Sequence, residues 1–275
     1  VLEYLPFPDL NQHYKQGTLA LEPLAESIGE AVARWQEIRP QGFGPFSAKE
    51  AHATGQLVGL HPSYSSYLFL NLDRHLTFLT DRRFFTHRQA VAVLEAITRR
   101  QDLLGIAQGC LVHKDLALWN ILGSPQRIAA FIDWDDAISG DPMDDLSLLG
   151  CFYGAPVIER ALAGYARVRP LPENHLAHFW LCLLRNMLVK AVIRVGAGYF
   201  TRTDSFFLIG AGGSGSDLET FTHHPRDGVA SCRPSHMCGR DEGGSERGRA
   251  RLLGSGSPPY RGAARRSGRG RRFTL

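Results

Sequence analysis

A chain of 275 residues, 44% hydrophobic and 21% charged, has room for one large or two small domains. No apolar run reaches the roughly eighteen residues of a membrane span and no signal peptide opens the chain, so no membrane partner is expected, and five scattered Cys point to a cytoplasmic, reducing setting. The net charge of +4 hides an asymmetry: residues 211–275 carry +6, with twelve Arg, no Lys and thirteen of the 29 Gly, which leaves −2 on residues 1–210.

In chain order, residues 1–5 read as a strand and Pro6 to Gln16 as loop. Apolar residues at helical spacing (Leu21, Leu24, Ile28, Val32, Trp35) predict an amphipathic helix over 18–38. Residues 42–61 read as irregular, and 62–79 as a second helix. Thr86 and Gln89 fit a capping box opening a third helix over 87–104. Leu111-Val112 and Ile121-Leu122 flank a polar loop. Gly123 to Gln126 reads as a turn, and Arg127 to Trp134 as a returning strand. Short helices follow over 144–152 and 157–167, then a long one from about Pro172 to Val195 with a strongly apolar face. A mostly helical lobe enclosing a β-hairpin is the result.

The chemistry sits in that hairpin. Within His113-Lys114-Asp115-Leu116-Ala117-Leu118-Trp119-Asn120, Asp115 and Asn120 have the spacing H-x-D-x-x-x-x-N of a kinase catalytic loop. There the Asp accepts a substrate hydroxyl proton and the Asn holds Mg²⁺. Asp133 falls on the next apolar strand, where a kinase places its second metal-binding Asp. Mg²⁺ takes one or two protein oxygens together with phosphates and water, and Asn120 and Asp133 supply two. A hairpin brings both to one end of paired strands. Each residue alone is an ordinary turn former; it is the ordered set of three that points to γ-phosphoryl transfer.

HKDLALWNIL, AAFIDWDD and GDPMDDLSLL together resemble the aminoglycoside phosphotransferase and choline kinase family, relatives of protein kinases whose corresponding motifs read HGDLxxxNIL, xxIDWE and GDPxxDLA. The resemblance covers about residues 1–200. It implies an α+β, mostly helical protein kinase-like C-terminal lobe over 1–205, an ATP (or GTP) and Mg²⁺ cofactor pair, and a small-molecule hydroxyl acceptor such as an aminoglycoside, choline or a sugar-like compound. It implies that Asp115 is the catalytic base, that Asn120 and Asp133 bind the metal, that Asp145 braces the loop from the following helix, and that His113 holds it. Val1 to Leu5 resembles the interlobe hinge, with Glu3 and Leu5 at the nucleotide's adenine, so the N-terminal lobe is expected to be absent. Lys114 departs from the family's Gly, and Asp135 from its Glu.

Asp135, Asp136, Asp141 and Asp144 cluster near the loop, either as an attraction for a cationic acceptor or as helix caps and solvated charges. Residues 206–275 have neither apolar content nor period and are expected to be disordered. Their Arg/Gly composition is the sole hint of nucleic acid, a weak one. The spacings of His223, His224, Cys232, His236 and Cys238 match no zinc pattern. Cys110, Cys151 and Cys182 read as small core residues. A second function class, a catalytically silent kinase-like binding module, stands beside the phosphotransferase because no strand-borne Lys precedes the hinge.

Overall fold

The computed structural model describes residues 4–198, which lie within one compact unit. Glu3, the Arg/Gly segment and Cys232 and Cys238 fall outside the described residues.

Helices dominate, as the periodicity predicts. The first, α1 (Leu10–Lys15), forms where loop is expected, because the Asp9 carboxylate caps it by accepting from the Gln12 amide. Residues 4 and 5, expected to end a strand, form none, and residues 6–8 are loop as expected. The long amphipathic helix α2 (Leu21–Trp35) buries Leu21, Leu24, Ile28 and Val32. It crosses α8 (Ala155–Val168) at unusually close range. Gly29 and Gly164 face each other's helices, and a Cβ on either would overlap a backbone carbonyl, of Ala161 and of Glu26 respectively. Arg160 and Arg167 flank this crossing with ion pairs to Glu26, at 2.9 and 2.6 Å.

The stretch expected to be irregular contains β1 (Phe43–Phe46), α3 (Ala48–Thr54, capped by Ser47) and β2 (Gly59–His61). The predicted helix over 62–79 divides into α4 (Tyr64–Leu68) and α5 (Leu72–Asp81), because Asn71 adopts a left-handed conformation between them. Helix α6 (His87–Thr98) has the predicted capping box, with Thr86 and Gln89 each bonding the other's backbone amide. A 3₁₀ turn, Gln101–Leu104, follows it.

Two sheets organise the middle of the chain. The hairpin β4 (Ile121–Ser124) and β5 (Arg127–Phe131) pairs Ile121 with Phe131 and turns at Pro125-Gln126. A four-stranded antiparallel sheet absent from the sequence reading has the order β2-β1-β6-β3, where β3 is Cys110–Val112 and β6 is Ile138–Gly140. Strand β3 delivers the chain to His113, and β6 delivers it to α7 (Asp144–Gly150).

Helix α9 (His175–Gly196) begins three residues after Pro172, which therefore precedes the helix. It is the wall between two apolar clusters. Phe179 and Leu183 join the cluster of α1, α2, α7 and α8, while Leu181, Leu184, Leu188 and Ala191 join that of α4, α5 and α6. A helix apolar on nearly all sides is what a two-sided core requires. It is also long and apolar enough to cross a membrane, although Arg185, Asn186 and Lys190 interrupt its apolar run. Those three polar residues find partners inside the lobe.

Candidate active site

Loop 113–120 joins β3 to the hairpin and is fixed from three directions. From α7, the fully buried Asp145 carboxylate accepts the amides of His113 (2.9 Å) and Lys114 (3.0 Å) and the Trp35 indole N–H (3.2 Å). Burial pushes the Asp145 carboxyl above the usual carboxylate range, and the two amides pull in the other direction.

From the hairpin side, His113 is buried with both ring nitrogens engaged. Its Nδ1 lies 3.3 Å from the Asp115 amide, which donates to it, and its Nε2 lies 2.9 Å from the Ile132 carbonyl. With the Asp115 amide donating to Nδ1, Nε2 is the ring nitrogen placed to donate to the Ile132 carbonyl. The ring packs against Trp134 at 4.5 Å between centroids, and Trp35 stands edge-on to both Trp134 and Phe131. His113 thus ties the backbone of Asp115 to that of Ile132.

From α9 comes a polar pair that the sequence reading did not pick out. Asn186 and Lys190, one helical turn apart on one face, meet consecutive loop residues. The Lys114 ammonium donates to Asn186 Oδ1 at 2.8 Å and to both Asp144 oxygens at 2.9 and 2.8 Å. Lys190 Nζ donates to Asp115 Oδ1 at 2.7 Å. Two polar residues at helical spacing within an otherwise apolar helix were the available signal. Lys114 occupies a left-handed corner (φ +69°), the conformation for which glycine is the cheapest residue. Burial opposes the Lys114 charge but Asp144 outweighs it, so the ammonium stays protonated far above neutrality.

The Asp115 carboxylate receives three donors. Oδ1 takes Lys190, while Oδ2 takes Asn120 Nδ2 at 2.9 Å and the Trp119 indole at 3.5 Å. Burial raises its carboxyl, and the Lys190 bond and charge more than reverse this, so it lies below the usual range. The second Asn120 Nδ2 proton goes to the Asp115 carbonyl at 2.8 Å. Both amide protons of Asn120 are therefore committed to Asp115, and its Oδ1 is the atom left for a ligand.

Asp133 does not lie on the returning strand. Strand β5 ends at Phe131, Ile132 adds one more bond to the ladder (amide to the Asn120 carbonyl, 3.0 Å), and Asp133 then turns away at φ +65° with its side chain exposed. It is one residue beyond the backbone partner of Asn120, so the hairpin brings the two residues to the same end. Among the described residues, no three His, Cys, Asp or Glu side chains group as a metal site. An amide oxygen beside one exposed carboxylate is a donor set for a hard cation that completes its shell with phosphate and water.

Of the four acids proposed as an acceptor surface, Asp141 and Asp144 are excluded. Both are buried, the first paired with His178 and accepting the Met143 amide, the second with Lys114. Asp135 and Asp136 are exposed. Leu5 is half-buried in a segment without strand pairing, and Glu3 lies outside the described residues. Cys110, Cys151 and Cys182 are buried free thiols, and burial raises the pKa of each.

The model of the phosphotransferase enzyme family (APH) matches residues 1–175. Viomycin phosphotransferase of Streptomyces vinaceus is 35% identical over 66 residues, 22% of this chain and 23% of that protein. Hygromycin-B 4-O-kinase of Escherichia coli is 28% identical over 130 residues, 44% of this chain and 33% of that protein. The chain thus spans from under a quarter to a third of these relatives. Among solved structures, a thermostable mutant of aminoglycoside phosphotransferase APH(4)-Ia in apo form aligns at a TM-score of 0.47 and 19% identity, over 74% of this chain and 68% of that one.

Proposed function

Because this chain belongs to the phosphotransferase enzyme family, we propose that its site transfers the γ-phosphoryl group of ATP to a hydroxyl of a small molecule, with Mg²⁺. The observation that carries this reading is the convergence on Asp115. Its carboxylate is fixed by Asn120 and Lys190, and Asp133 stands one residue past the backbone partner of Asn120.

In this reading the acceptor hydroxyl donates its proton to Asp115 as its oxygen bonds to the γ-phosphorus. The bond from that phosphorus to the bridging oxygen breaks, and ADP leaves. A carboxylate held below the usual range is a weak base, which suits a loose transition state where the hydroxyl gives up its proton late. Asn120 Oδ1 and the Asp133 carboxylate would hold the metal. When bound, the metal neutralises charge on the phosphate oxygens. Leu5, and Glu3 before it, are proposed at the adenine.

The acceptor class we favour is a cationic, hydroxyl-rich compound. The two curated relatives act, by their names, on viomycin and hygromycin B, and the exposed Asp135 and Asp136 supply negative charge beyond Asp133.

The test is a coupled ADP-release assay of the 275-residue chain with Mg²⁺ and ATP against hygromycin B, viomycin, other aminoglycosides and choline. Acceptor-dependent ADP release that Asp115→Ala lowers by about 10²–10⁴-fold supports the reading. ADP release independent of every acceptor and unchanged in Asp115→Ala overturns it.

A further inference from the structure

The family match ends at residue 175, yet the shortest contact to the Asp115 carboxylate comes from residue 190. We propose that Lys190 is a positioning residue for Asp115, presenting its Oδ1 to the acceptor hydroxyl. This deepens the phosphotransferase reading and rests on it for the identity of the acceptor.

The argument begins with lone pairs. A carboxylate has about four acceptor sites, two on each oxygen. On Oδ2 of Asp115, Asn120 and Trp119 occupy both. On Oδ1, Lys190 occupies one. The remaining site on Oδ1 is therefore where a hydroxyl can bind, and the Lys190 ammonium sits beside it. Donors from two different elements, the loop and α9, fix the plane of the carboxylate as well as its position.

The pair is partly buried, its two side chains 19% and 20% exposed. Lys190 is also one turn beyond Asn186, which receives Lys114. One face of α9 thus meets two successive residues of the loop, so the register of the helix sets the position of the carboxylate. A base displaced by about 1 Å loses on the order of 10²-fold in rate, which makes such a brace worth its polar cost on an apolar helix.

The experiment compares Lys190→Met, Lys190→Gln and Lys190→Arg in the 275-residue chain, with two readouts. The first is steady-state kinetics with the best acceptor from the ADP-release panel. Lys190→Met and Lys190→Gln should lower kcat by about 10²-fold with the acceptor KM little changed. Lys190→Arg should recover most of the loss. In an Asp115→Ala background, Lys190→Met should cost nothing further, because the residue acts through Asp115. The second readout is the ¹⁵N–¹H signal of the Trp119 indole, assigned with Trp119→Phe and recorded without ligand. Its hydrogen bond to Asp115 Oδ2 makes it a reporter of the carboxylate. The signal should move in Lys190→Met and return in Lys190→Arg.

A loss of rate that adds to that of Asp115→Ala, or an indole signal unmoved by Lys190→Met, overturns the proposal. If the wild-type chain turns over no acceptor, the phosphotransferase reading fails on its own assay, and the indole signal still decides whether Lys190 positions Asp115.

Discussion

Lys114 closes a bidentate ion pair on Asp144, at 2.9 and 2.8 Å, from a left-handed backbone corner. The loop therefore has two opposed terms at one residue. The corner costs a side-chain-bearing residue about 1–2 kcal/mol relative to glycine, while the ammonium neutralises a carboxylate that is 2% exposed. Breaking a buried pair by removing one partner costs roughly 3–5 kcal/mol. Lys114→Gly, which restores the residue usual in the resembling family, is expected to destabilise by about 1–4 kcal/mol, the difference between the terms. Urea unfolding measures it. A variant as stable as the wild type would mean that Asn186 alone satisfies Asp144.

The crossing of α2 and α8 gives a sign test. In an exposed helix interior, Gly→Ala stabilises by about 1 kcal/mol through backbone entropy and propensity. At Gly29 and Gly164 the added methyl would meet the backbone carbonyls of Ala161 and Glu26, which cannot turn aside as a side chain can. Gly164→Ala is therefore expected to destabilise by at least about 1–3 kcal/mol, the usual range for overpacking. A rise in Tm would show that the helices separate at little cost.

Two histidines give stability opposite pH dependences. His75 is buried beside Arg185, whose Nη1 lies 3.2 Å from its Nδ1; burial, and then the Arg185 charge, push its pKa down to about 4. The unfolded chain binds the proton more readily than the folded one, so this contribution is complete above about pH 6.5 and is lost as the pH falls toward 4, by about 3 kcal/mol. The His178 pKa is raised, first by its hydrogen bond to Asp141 and against the opposing effect of burial. Here the folded state holds the proton more tightly, so the stabilisation is complete below about pH 6.5 and is lost as the pH rises through the raised folded value. Urea unfolding from pH 4 to 9 should show the acid loss flattened in His75→Gln and the alkaline loss flattened in His178→Gln. Parallel profiles for wild type and either variant would remove that histidine.

The sequence was most legible where chemistry or a long period is written locally. The run from His113 to Asn120, the capping box at Thr86 and the stripe from Leu21 to Trp35 each need only neighbours along the chain. It was least legible where elements are too short to show a period. Strands of three or four residues, such as Cys110–Val112 and Ile138–Gly140, offer no alternation to count, and the sheet that aims the loop was missed with them. The break at Asn71 was hidden because the apolar spacing runs through it; only the left-handed backbone reveals the divide. Asp133 was placed on a strand because Ile132 is apolar, yet the ladder ends there and frees the carboxylate. Lys190 and Asn186 carried only the signal of their helical spacing, for a different reason. Their partners are 75 and 72 residues away, and only the fold brings them together.

Asp115 and Asp133 should fail in different ways when altered. Asp115→Ala removes the proposed proton acceptor and leaves the Lys190 ammonium and the Asn120 amide without their shared partner. Turnover in the ADP-release assay is expected to fall by about 10²–10⁴, the usual worth of a positioned general base, and added Mg²⁺ should not restore it. Asp133 is exposed and carries no ion pair among those identified in the described residues, so Asp133→Ala should leave the unfolding midpoint nearly unchanged. Its loss should appear as a higher Mg²⁺ concentration for half-maximal rate, together with a fall in kcat at least as large as that of Asp115→Ala, since the metal carries several kcal/mol of charge stabilisation. The two titrations against Mg²⁺ separate the roles. If Asp133→Ala shows the wild-type rate and the wild-type Mg²⁺ requirement, the metal is held elsewhere, and the left-handed turn after β5 is only the end of a hairpin.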